Sequence, residues 1–274
     1  MNYFTISFDK CKQDGLCAGE CPAGIIRWEG KGSFPTIPAG GEKFCLQCGH
    51  CIAICPAAAI GWSFCPPEEC PPVQQEALPS STQIEHLLKA RRSIRAFKDS
   101  TIDRRVLQKL LETAAYAPSG HNLQPVNWIV VEKPAEVRRL AGLVVDWMKY
   151  MIKNKPETAQ ALAFPHIVHY WDQGHDRVCH HAPHLLVAHA PKKVASSATD
   201  CVIALTYLEI AAYAMGIGAC WAGYFTTAAN VYPPLTEALG IPEDHRVPGT
   251  LLLGYPLRTY RRIPKRNAPK ITWR

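Results

Sequence analysis

The hydrophobic positions beyond residue 80 follow two patterns, one typical of helices and one typical of short strands. Apolar residues that recur every three or four positions mark one face of a helix. We predict helices in the stretch that begins at Thr82 and over 103–116, 135–152 and 198–215. Short apolar runs predict strands at 127–131, 185–190 and 249–254. Long helices with few strands in mixed order indicate an α+β fold.

Two of these helices carry further detail. Thr82 and Glu85 are spaced as in a capping box, which predicts that the first helix begins there. In the second helix, one face collects the apolar positions Val106, Leu107, Leu110, Leu111 and Ala114.

The apolar stretch 201–223 is the one candidate for a membrane span. Glu209 lies in its middle, and Gly216 and Gly218 interrupt it. A buried core helix is therefore the better interpretation, and we expect no membrane partner.

The pattern divides the chain into three parts. Residues 1–64 hold most of the cysteines and form a unit too small for much of an apolar core of its own, which predicts that metal clusters staple it. Residues 65–79 are rich in proline and predict a semi-rigid linker. Residues 80–274 form the second domain.

A cysteine motif carries the first chemistry. Cys45, Cys48, Cys51 and Cys55-Pro56 form a complete C-x2-C-x2-C-x3-C-P, the pattern that bacterial ferredoxins use to hold iron–sulfur clusters. In that pattern the fourth cysteine ligates a different cluster, so a partner run is required. The partner run has Cys11, Cys17 and Cys21-Pro22, with Asp14 where its second cysteine belongs.

The predicted ligation is therefore crossed between the runs. One cluster takes Cys21, Cys45, Cys48 and Cys51. The other takes Cys11, Cys17 and Cys55, and Asp14 is the candidate fourth ligand. Because iron prefers thiolate to carboxylate in such sites, the second cluster is either a carboxylate-ligated [4Fe–4S] or a [3Fe–4S] cluster. A zinc site or a disulfide framework fits two Cys-Pro-terminated runs less well.

Charge and cysteine usage narrow the class of protein. The net charge is +7, and the excess of Lys and Arg lies beyond residue 72. No basic patch interleaved with aromatic residues accompanies it, so we expect no nucleic-acid partner. Cluster thiolates need a reducing compartment, which predicts a cytoplasmic location.

A second set of polar residues suits a phosphorylated cofactor. Arg91, Arg92, Ser93 and Arg95 place three guanidinium groups and a hydroxyl within five residues, a combination that binds phosphate well. The loop Pro118-Ser119-Gly120-His121-Asn122-Leu123-Gln124 then offers amides for a flat heterocycle.

Four stretches of the second domain, taken in their order along the chain, resemble the FMN-dependent nitroreductase family. They are Arg-Arg-Ser-x-Arg, Ala-Pro-Ser-x-x-Asn-x-Gln-Pro, the segment 216–223 and Leu-Gly-Tyr-Pro. The whole chain resembles its subgroup with an N-terminal two-cluster ferredoxin domain. The resemblance implies an α+β homodimer with FMN at the subunit interface. It implies phosphate and ribityl contacts from Arg91, Arg92, Ser93, Arg95 and Arg266. It implies contacts to the isoalloxazine ring from Pro118, Ser119, Gly120, Asn122, Gln124, Trp221, Ala222 and Gly223, in part across the interface.

The expected function is an FMN-dependent oxidoreductase. Electrons would pass through two iron–sulfur clusters to FMN and on to a small organic acceptor such as a nitroaromatic or a quinone, with ferredoxin or NAD(P)H as donor. Two alternatives stay open: reductive dehalogenation or ene reduction by the same flavin, and an electron-transfer or redox-sensing module without a small-molecule substrate. An open cavity above the flavin, lined from residues 146–182, would favour an enzyme.

Two features have no assigned role. The histidines of segment 166–189 are better interpreted as structural than as metal ligands, although one of them is a candidate proton donor. Cys65 and Cys70 are interpreted as linker thiols, with an additional cluster ligand as the alternative.

Overall fold

The computed structural model describes residues 3–274 and shows two compact units. The first unit consists of the described residues up to Pro79 together with His121–Leu123. The second consists of Ser80–Gly120 and Gln124–Arg274.

The first unit is built around a two-stranded antiparallel sheet of β1 (Phe4–Ile6) and β2 (Ile60–Trp62). Two one-turn helices, α1 (Leu16–Gly19) and α2 (His50–Ala53), and a 3-10 helix at Gly41–Phe44 lie between the strands. The buried core is small and contains Cys17, Ile26, Cys51, Ile52, Ile60 and Trp62.

The two cysteine runs of this unit have the same backbone conformation. Equivalent positions take left-handed φ angles: 55° at Gln13 and 52° at Gln47, and 73° at both Gly15 and Gly49. The repeat places Asp14 in the first run where Cys48 stands in the second.

The proline-rich stretch differs from an extended linker. It contains 3-10 helices at Pro67–Glu69 and Gln75–Ala77. The backbones of Cys65 and Trp62 pair in an isolated β-bridge.

The second unit contains eight of the helices that the structure describes: α3 (Ser81–Ala90), α4 (Arg104–Ala114), α5 (Pro134–Asn154), α6 (Pro156–Ala161), α7 (Phe164–Asp172), α8 (Ser197–Ala214), α9 (Gly223–Val231) and α10 (Pro233–Leu239). A 3-10 turn spans Gly120–Asn122. The strands of the second unit are β3 (Asn127–Val131), β4 (His184–Pro191), β5 (Gly218–Trp221) and β6 (His245–Gly254).

The four strands form one antiparallel sheet in the order β3-β4-β6-β5, with helices on both faces. Successive residues of a strand point to opposite faces. Leu185 and Val187 of β4 therefore pack with α5, α7 and α9, whereas Leu186 and Ala188 pack with α4 and α8.

The predicted strand 127–131 has these bounds in the structure, and the other predicted strands and helices lie within the observed elements or within two residues of their ends. The predicted capping box is wrong. The Ser80 hydroxyl accepts from Gln83 N and Gln83 Oε1 accepts from Ser80 N, so α3 begins two residues earlier, while Glu85 pairs with Lys89.

The stretch 201–223 comprises most of α8, a turn and β5. Among residues 3–274, no helix combines the length and the apolar character that a membrane crossing requires. The core-helix interpretation agrees with this finding.

Candidate functional site

The arginine-rich segment runs alongside the edge strand β5. Ser93 pairs with Ala219, and Ile94 N donates to the Ala219 carbonyl oxygen at 2.9 Å. The approach is close, because a Cβ on Gly218 would lie 2.7 Å from the Ile94 side chain. This pairing brings Arg95 next to the residues that end β5.

Arg95 and the end of β5 line a cavity of about 370 Å³, which we call the Arg95 cavity. Trp221, Ala222 and Gly223 form one part of its wall. Segment 146–182, in which no family motif was recognised, forms another part of the wall. It contributes Trp147, Leu162, Phe164, Arg177, Val178 and His180. The cavity therefore joins four sequence-predicted residues to side chains that the sequence alone did not select.

Helix α9 begins at this cavity. Its first residues, Gly223 and Tyr224, lie in the wall, and the free amides at a helix N-terminus give that end a partial positive charge. The preceding residue is held by β6: Ala222 N donates to the Thr250 carbonyl oxygen at 3.0 Å, and Thr250 Oγ1 donates to the Ala222 carbonyl oxygen at 3.1 Å. The amide end of α9 is thus fixed by the sheet.

A buried carboxylate on α8 holds one side of the site in place. Glu209 accepts from Arg91 Nη1 at 2.9 Å and from Trp221 Nε1 at 3.2 Å. Arg91 is therefore paired with Glu209 in this structure, and its guanidinium is not free. The contact of Arg91 with a phosphate stays a prediction. The sequence signal for Glu209 was an acidic residue inside an apolar helix.

Arg92 has unsatisfied donors. Its Nη1 donates to the Lys89 carbonyl oxygen at 2.8 Å, but Nε and Nη2 are buried without a hydrogen-bond partner. Buried polar groups are rarely left unpaired. An acceptor such as a phosphate oxygen would satisfy these two donors.

The second predicted set of residues lines a separate cavity of about 370 Å³ with Pro118, Ser119 and Gln124 in its wall. Asp200 of α8 fixes this loop: it accepts from Gly120 N at 3.1 Å and from Ser196 Oγ at 2.8 Å. Among the described residues, the two cavities have no lining residue in common.

Two predicted residues lie elsewhere. Asn122 belongs to the first unit, where its Nδ2 donates to the Gln47 carbonyl oxygen at 2.9 Å. Arg266 lies in the exposed C-terminal segment. The chain by itself does not bring either residue into the Arg95 cavity.

Four cysteines of the first unit surround one apolar-walled cavity, which we call the thiol cavity. Cys21 of the first run lies there with Cys45, Cys48 and Cys51 of the second, beside Ile26, Trp62 and Phe64. Burial raises the pKa of Cys51, and the neighbouring thiols Cys45, Cys21 and Cys48 raise it further. This grouping of cysteines is the crossed one that the spacing predicts.

The remaining cysteines form a second neighbourhood. Burial raises the pKa of Cys17 to about 11, and charge on Cys51 and Cys55 adds to the effect. Ala59 N lies 3.3 Å from Cys55 Sγ, and Trp62 Nε1 lies 3.4 Å from Cys51 Sγ. Such N–H donors stabilise thiolates.

Asp14 contacts its own turn. Its Oδ1 accepts from Leu16 N at 3.1 Å, the hydrogen bond of an aspartate that caps a turn. One carboxylate oxygen is thereby engaged with the backbone.

No group of three or more His, Cys, Asp or Glu side chains within the described chain converges on a point that could hold one metal ion. A mononuclear thiolate site needs every sulfur at about 2.3 Å from one point. A cubane cluster has a different requirement, because each thiolate binds a different iron. The thiol cavity has four cysteines in its wall.

Cys65 packs against the core that contains Cys17 and Cys51, but neither Cys65 nor Cys70 lines the thiol cavity. Their sulfurs are 3.4 Å from each other. Burial, and then the neighbouring Cys70, raise the pKa of Cys65 to about 11.

Among the histidines of segment 166–189, His180 is the one that lines the Arg95 cavity. Its φ angle is 54°, an uncommon conformation for a residue with a side chain. Burial lowers its pKa, and the nearby Arg95 and Arg177 act in the same direction against Asp176. His180 is therefore held neutral near pH 7.

Comparison with known proteins gives the family. The model of the nitroreductase family matches residues 88–255. A protein named NADH dehydrogenase from Thermus thermophilus is 29% identical over 178 residues, which cover 61% of this chain and 83% of that protein. Among solved structures, a nitroreductase with bound FMN from Bacteroides fragilis is 26% identical with a TM-score of 0.57, covering 69% of this chain and 97% of that one.

An iodotyrosine deiodinase structure, 21% identical, shares the fold with a TM-score of 0.54, covering 70% of this chain and 98% of that one. The family model matches more than half of the chain, and its range contains the Arg95 cavity. The chain therefore belongs to the nitroreductase family and is a nitroreductase-like flavin oxidoreductase.

Proposed function

We propose that the chain is an FMN-dependent oxidoreductase that takes electrons through two iron–sulfur clusters and reduces a small organic acceptor, such as a nitroaromatic or a quinone. The observation that carries this proposal is the Arg95 cavity. It joins the arginine segment, the amide end of α9 and a wall from residues 146–182 in one space. A space of this kind suits an enzyme better than an electron carrier, which needs no room for a substrate.

The arginine segment fits FMN. Arg95 lines the cavity, and Arg92, which precedes it by three residues and is not part of the cavity wall, has two buried donors without acceptors. Guanidinium groups bind phosphate and flavin oxygens well. The amides at Gly223 would stabilise negative charge on the reduced ring. When bound, FMN supplies the exchange of electrons in pairs, and iron–sulfur clusters exchange them singly.

A homodimer would complete this site. Pro118, Ser119 and Gln124 line a cavity separate from that of Arg95, and a second copy would bring both sets to one ligand. The surface for such a contact exists. Helix α3 contacts α8, and these helices expose Ile84, Leu88, Val202 and Tyr207.

For acceptor reduction, the chain supplies placement and a proton-handling group. A quinone that takes up two electrons needs two protons to become a hydroquinone. His180, neutral and in the cavity wall, would donate a hydrogen bond to an acceptor oxygen without adding a positive charge. Solvent would supply the protons.

The FMN assignment is tested with the double variant Arg92→Gln/Arg95→Gln, which removes the phosphate and ring donors but spares the Arg91–Glu209 pair. The purified variant should lose most of its flavin and keep its iron and sulfide. Arg105→Gln, an exposed change on α4, is the matched control. Full flavin content in the double variant would refute the assignment.

The first unit would hold the clusters. The thiol cavity would take one cluster on Cys21, Cys45, Cys48 and Cys51, and Cys11, Cys17 and Cys55 would hold the other. Asp14 is the proposed fourth ligand, and the Leu16 hydrogen bond occupies only one of its oxygens. The corner iron there should be labile, because carboxylate binds iron more weakly than thiolate in such a site.

Brief oxidation should therefore convert only this cluster to the [3Fe–4S] form, measured by electron paramagnetic resonance. Asp14→Cys should suppress the signal and Asp14→Asn should increase it. Equal signals in all three proteins would exclude Asp14 as a ligand.

A further inference from the structure

A second cavity adjoins the Arg95 cavity. It has a volume of about 600 Å³, and we call it the α9 cavity because it follows that helix. Trp147, Leu162 and Thr227 line both cavities. The two cavities therefore adjoin and form one longer groove.

The groove is lined by cations and by no carboxylate. Arg95 and Arg177 line the Arg95 cavity, and Lys155 lines the α9 cavity. Among the residues that the structure describes, no Asp or Glu lines either cavity, and none of the three cations is in an ion pair.

Neighbouring cations differ in this respect. Lys149, on the same helix as Trp147, lies 3.3 Å from Asp172. Arg177 instead stacks over the ring of Tyr170, 4.7 Å from its centroid, which orients the guanidinium without neutralising it. Arg95 is assigned to FMN above, so the charges of Arg177 and Lys155 are the ones left for a second ligand to neutralise.

The remaining wall of the groove is aromatic. Trp147 is shared by both cavities, Tyr224 lies in the Arg95 cavity, and Tyr150 and Tyr232 lie in the α9 cavity. Aromatic walls favour flat, conjugated ligands. The N-terminus of α9 at the flavin end adds partial positive charge.

We infer that the acceptor reduced at this site is an anionic aromatic or quinonoid compound, such as an aromatic carboxylate, whose charged group lies toward Lys155 and Arg177. This inference rests on the proposed function. The charged group would be drawn to two unpaired cations, whereas an ammonium group would find no carboxylate partner in the groove. The conjugated part would lie against Trp147 and Tyr224, next to the flavin end.

The test uses the FMN-loaded protein and three probes of one shape: 4-nitrobenzoate, 4-nitrobenzamide and 4-nitrobenzylammonium. Dissociation constants are read from the change in flavin absorbance of the oxidised protein. Turnover gives kcat/KM for each probe. The benzoate should bind about tenfold more tightly than the amide, and the ammonium compound most weakly. The advantage should shrink as salt is added.

Lys155→Gln and Arg177→Gln should each reduce the benzoate-to-amide ratio toward one, while Lys149→Gln, the control outside the groove, should keep it. Equal dissociation constants for benzoate and amide in the unaltered protein would overturn the inference. Loss of flavin from either groove variant would also overturn it, because the charges would then serve the cofactor.

The two proposals fail in different ways. A protein that binds FMN and reduces the amide without favouring the benzoate keeps the proposed function and loses this inference. A protein that binds no FMN loses both.

Discussion

At the residue scale, two acidic side chains of α8 hold two sets of predicted site residues in place. Asp200 fixes the loop at Gly120, and Glu209 fixes Arg91 and Trp221. The sequence motifs identify Arg91 and Gly120 as functional positions. They do not reveal that the partners are carboxylates 118 positions beyond Arg91 and 80 positions beyond Gly120, because a pairing of that separation is set by tertiary packing.

Arg91 shows the consequence. A guanidinium in an Arg-rich motif is expected to bind phosphate. In this fold the guanidinium of Arg91 forms an ion pair with Glu209. Arg92 retains unsatisfied donors. The phosphate contact of this motif stays a prediction, and the structure shows that neighbouring arginines of one motif differ in their partners.

His184 should make stability depend on pH. Burial lowers its pKa, against the opposing influence of Glu132, and its Nε2 accepts from Ile102 N at 2.7 Å. Below its ordinary pKa of about 6.5, the unfolded chain binds more protons than the folded one, so stability falls as pH falls. Anaerobic urea unfolding between about pH 5 and pH 8 measures this slope.

His184→Gln, which keeps an acceptor for Ile102, should flatten the slope. His175→Gln, at an exposed position, is the control. Identical slopes for both variants and the parent protein would show that His184 does not titrate as described. The pKa of His189 is also lowered, by burial and by His245. Part of the dependence of stability on pH should therefore remain in the His184→Gln variant.

Gly249 should not tolerate a methyl group. A Cβ there would lie 2.6 Å from both Leu205 Cδ1 and Trp221 Cζ3, and the indole is held by Glu209. Gly249→Ala should cost about 1–3 kcal/mol, the usual range for overpacking a core, and should weaken flavin binding through Trp221.

Gly142→Ala is the matched control, because its Cβ would meet Trp171 at an ordinary 3.6 Å inside α5. It should be neutral or stabilising by up to about 1 kcal/mol. Thermal denaturation and flavin content measure both variants. A Gly249→Ala protein as stable as the control protein would contradict the expected clash.

At the element scale, hydrophobic periodicity predicts the long helices and the buried strands well. It misses β5, whose four residues, Gly218–Trp221, are too few and too small to show a pattern. It also gives no account of α6 and α7. Their sequence holds histidines and prolines, and they become ordered by packing against α5.

Helix α8 shows what periodicity cannot separate. Its apolar residues cover all faces, a pattern typical of a helix buried on every side. In the single chain Val202 and Tyr207 are exposed. We attribute this difference to the second copy of the proposed homodimer.

The start of α3 gives a prediction for a single element. Ser80→Ala removes the acceptor for Gln83 N and should destabilise the protein by about 1 kcal/mol, the usual loss for an N-cap. Thr82→Ala, at the position that the sequence pattern favours, should change stability much less. Thermal denaturation compares the two variants. A larger loss of stability from Thr82→Ala than from Ser80→Ala would mean that Thr82, and not Ser80, caps the helix.

At the scale of the whole molecule, the chain joins two units of different construction. The second unit has a sheet covered by helices and a large apolar core. The first has a core of few residues, two of them cysteines. The spacing predicts the set of cysteines that lines the thiol cavity. The two runs share left-handed φ angles at equivalent positions, although Asp14 stands for one cysteine of the first.

The iron content of the cluster proposed at Asp14 could not be predicted in the same way. Its position follows from the repeat, but whether a carboxylate holds iron depends on the balance between the metal and the Leu16 amide. Homodimer formation likewise depends on a second chain, for which the sequence pattern offers only exposed apolar residues.

The last prediction concerns electron entry in the full-length protein. Cys45→Ser/Cys48→Ser removes two ligands from the thiol cavity and leaves the Arg95 cavity unchanged. FMN should remain bound. Anaerobic stopped-flow should show that reduced ferredoxin, a one-electron donor, reduces the flavin at least about tenfold more slowly, because the clusters no longer act as donors tethered at high effective concentration.

Reduction by NADH should change little, since a hydride donor reaches the flavin directly. Cys65→Ser/Cys70→Ser, which removes two cysteines outside the thiol cavity, is the matched control and should keep the ferredoxin rate. The two donors separate the explanations. A fall in both rates would mean that the ligand variant has damaged the flavin site. An unchanged ferredoxin rate in a protein shown to lack the cluster would mean that electrons enter without it, and the relay would then be no part of this enzyme's function.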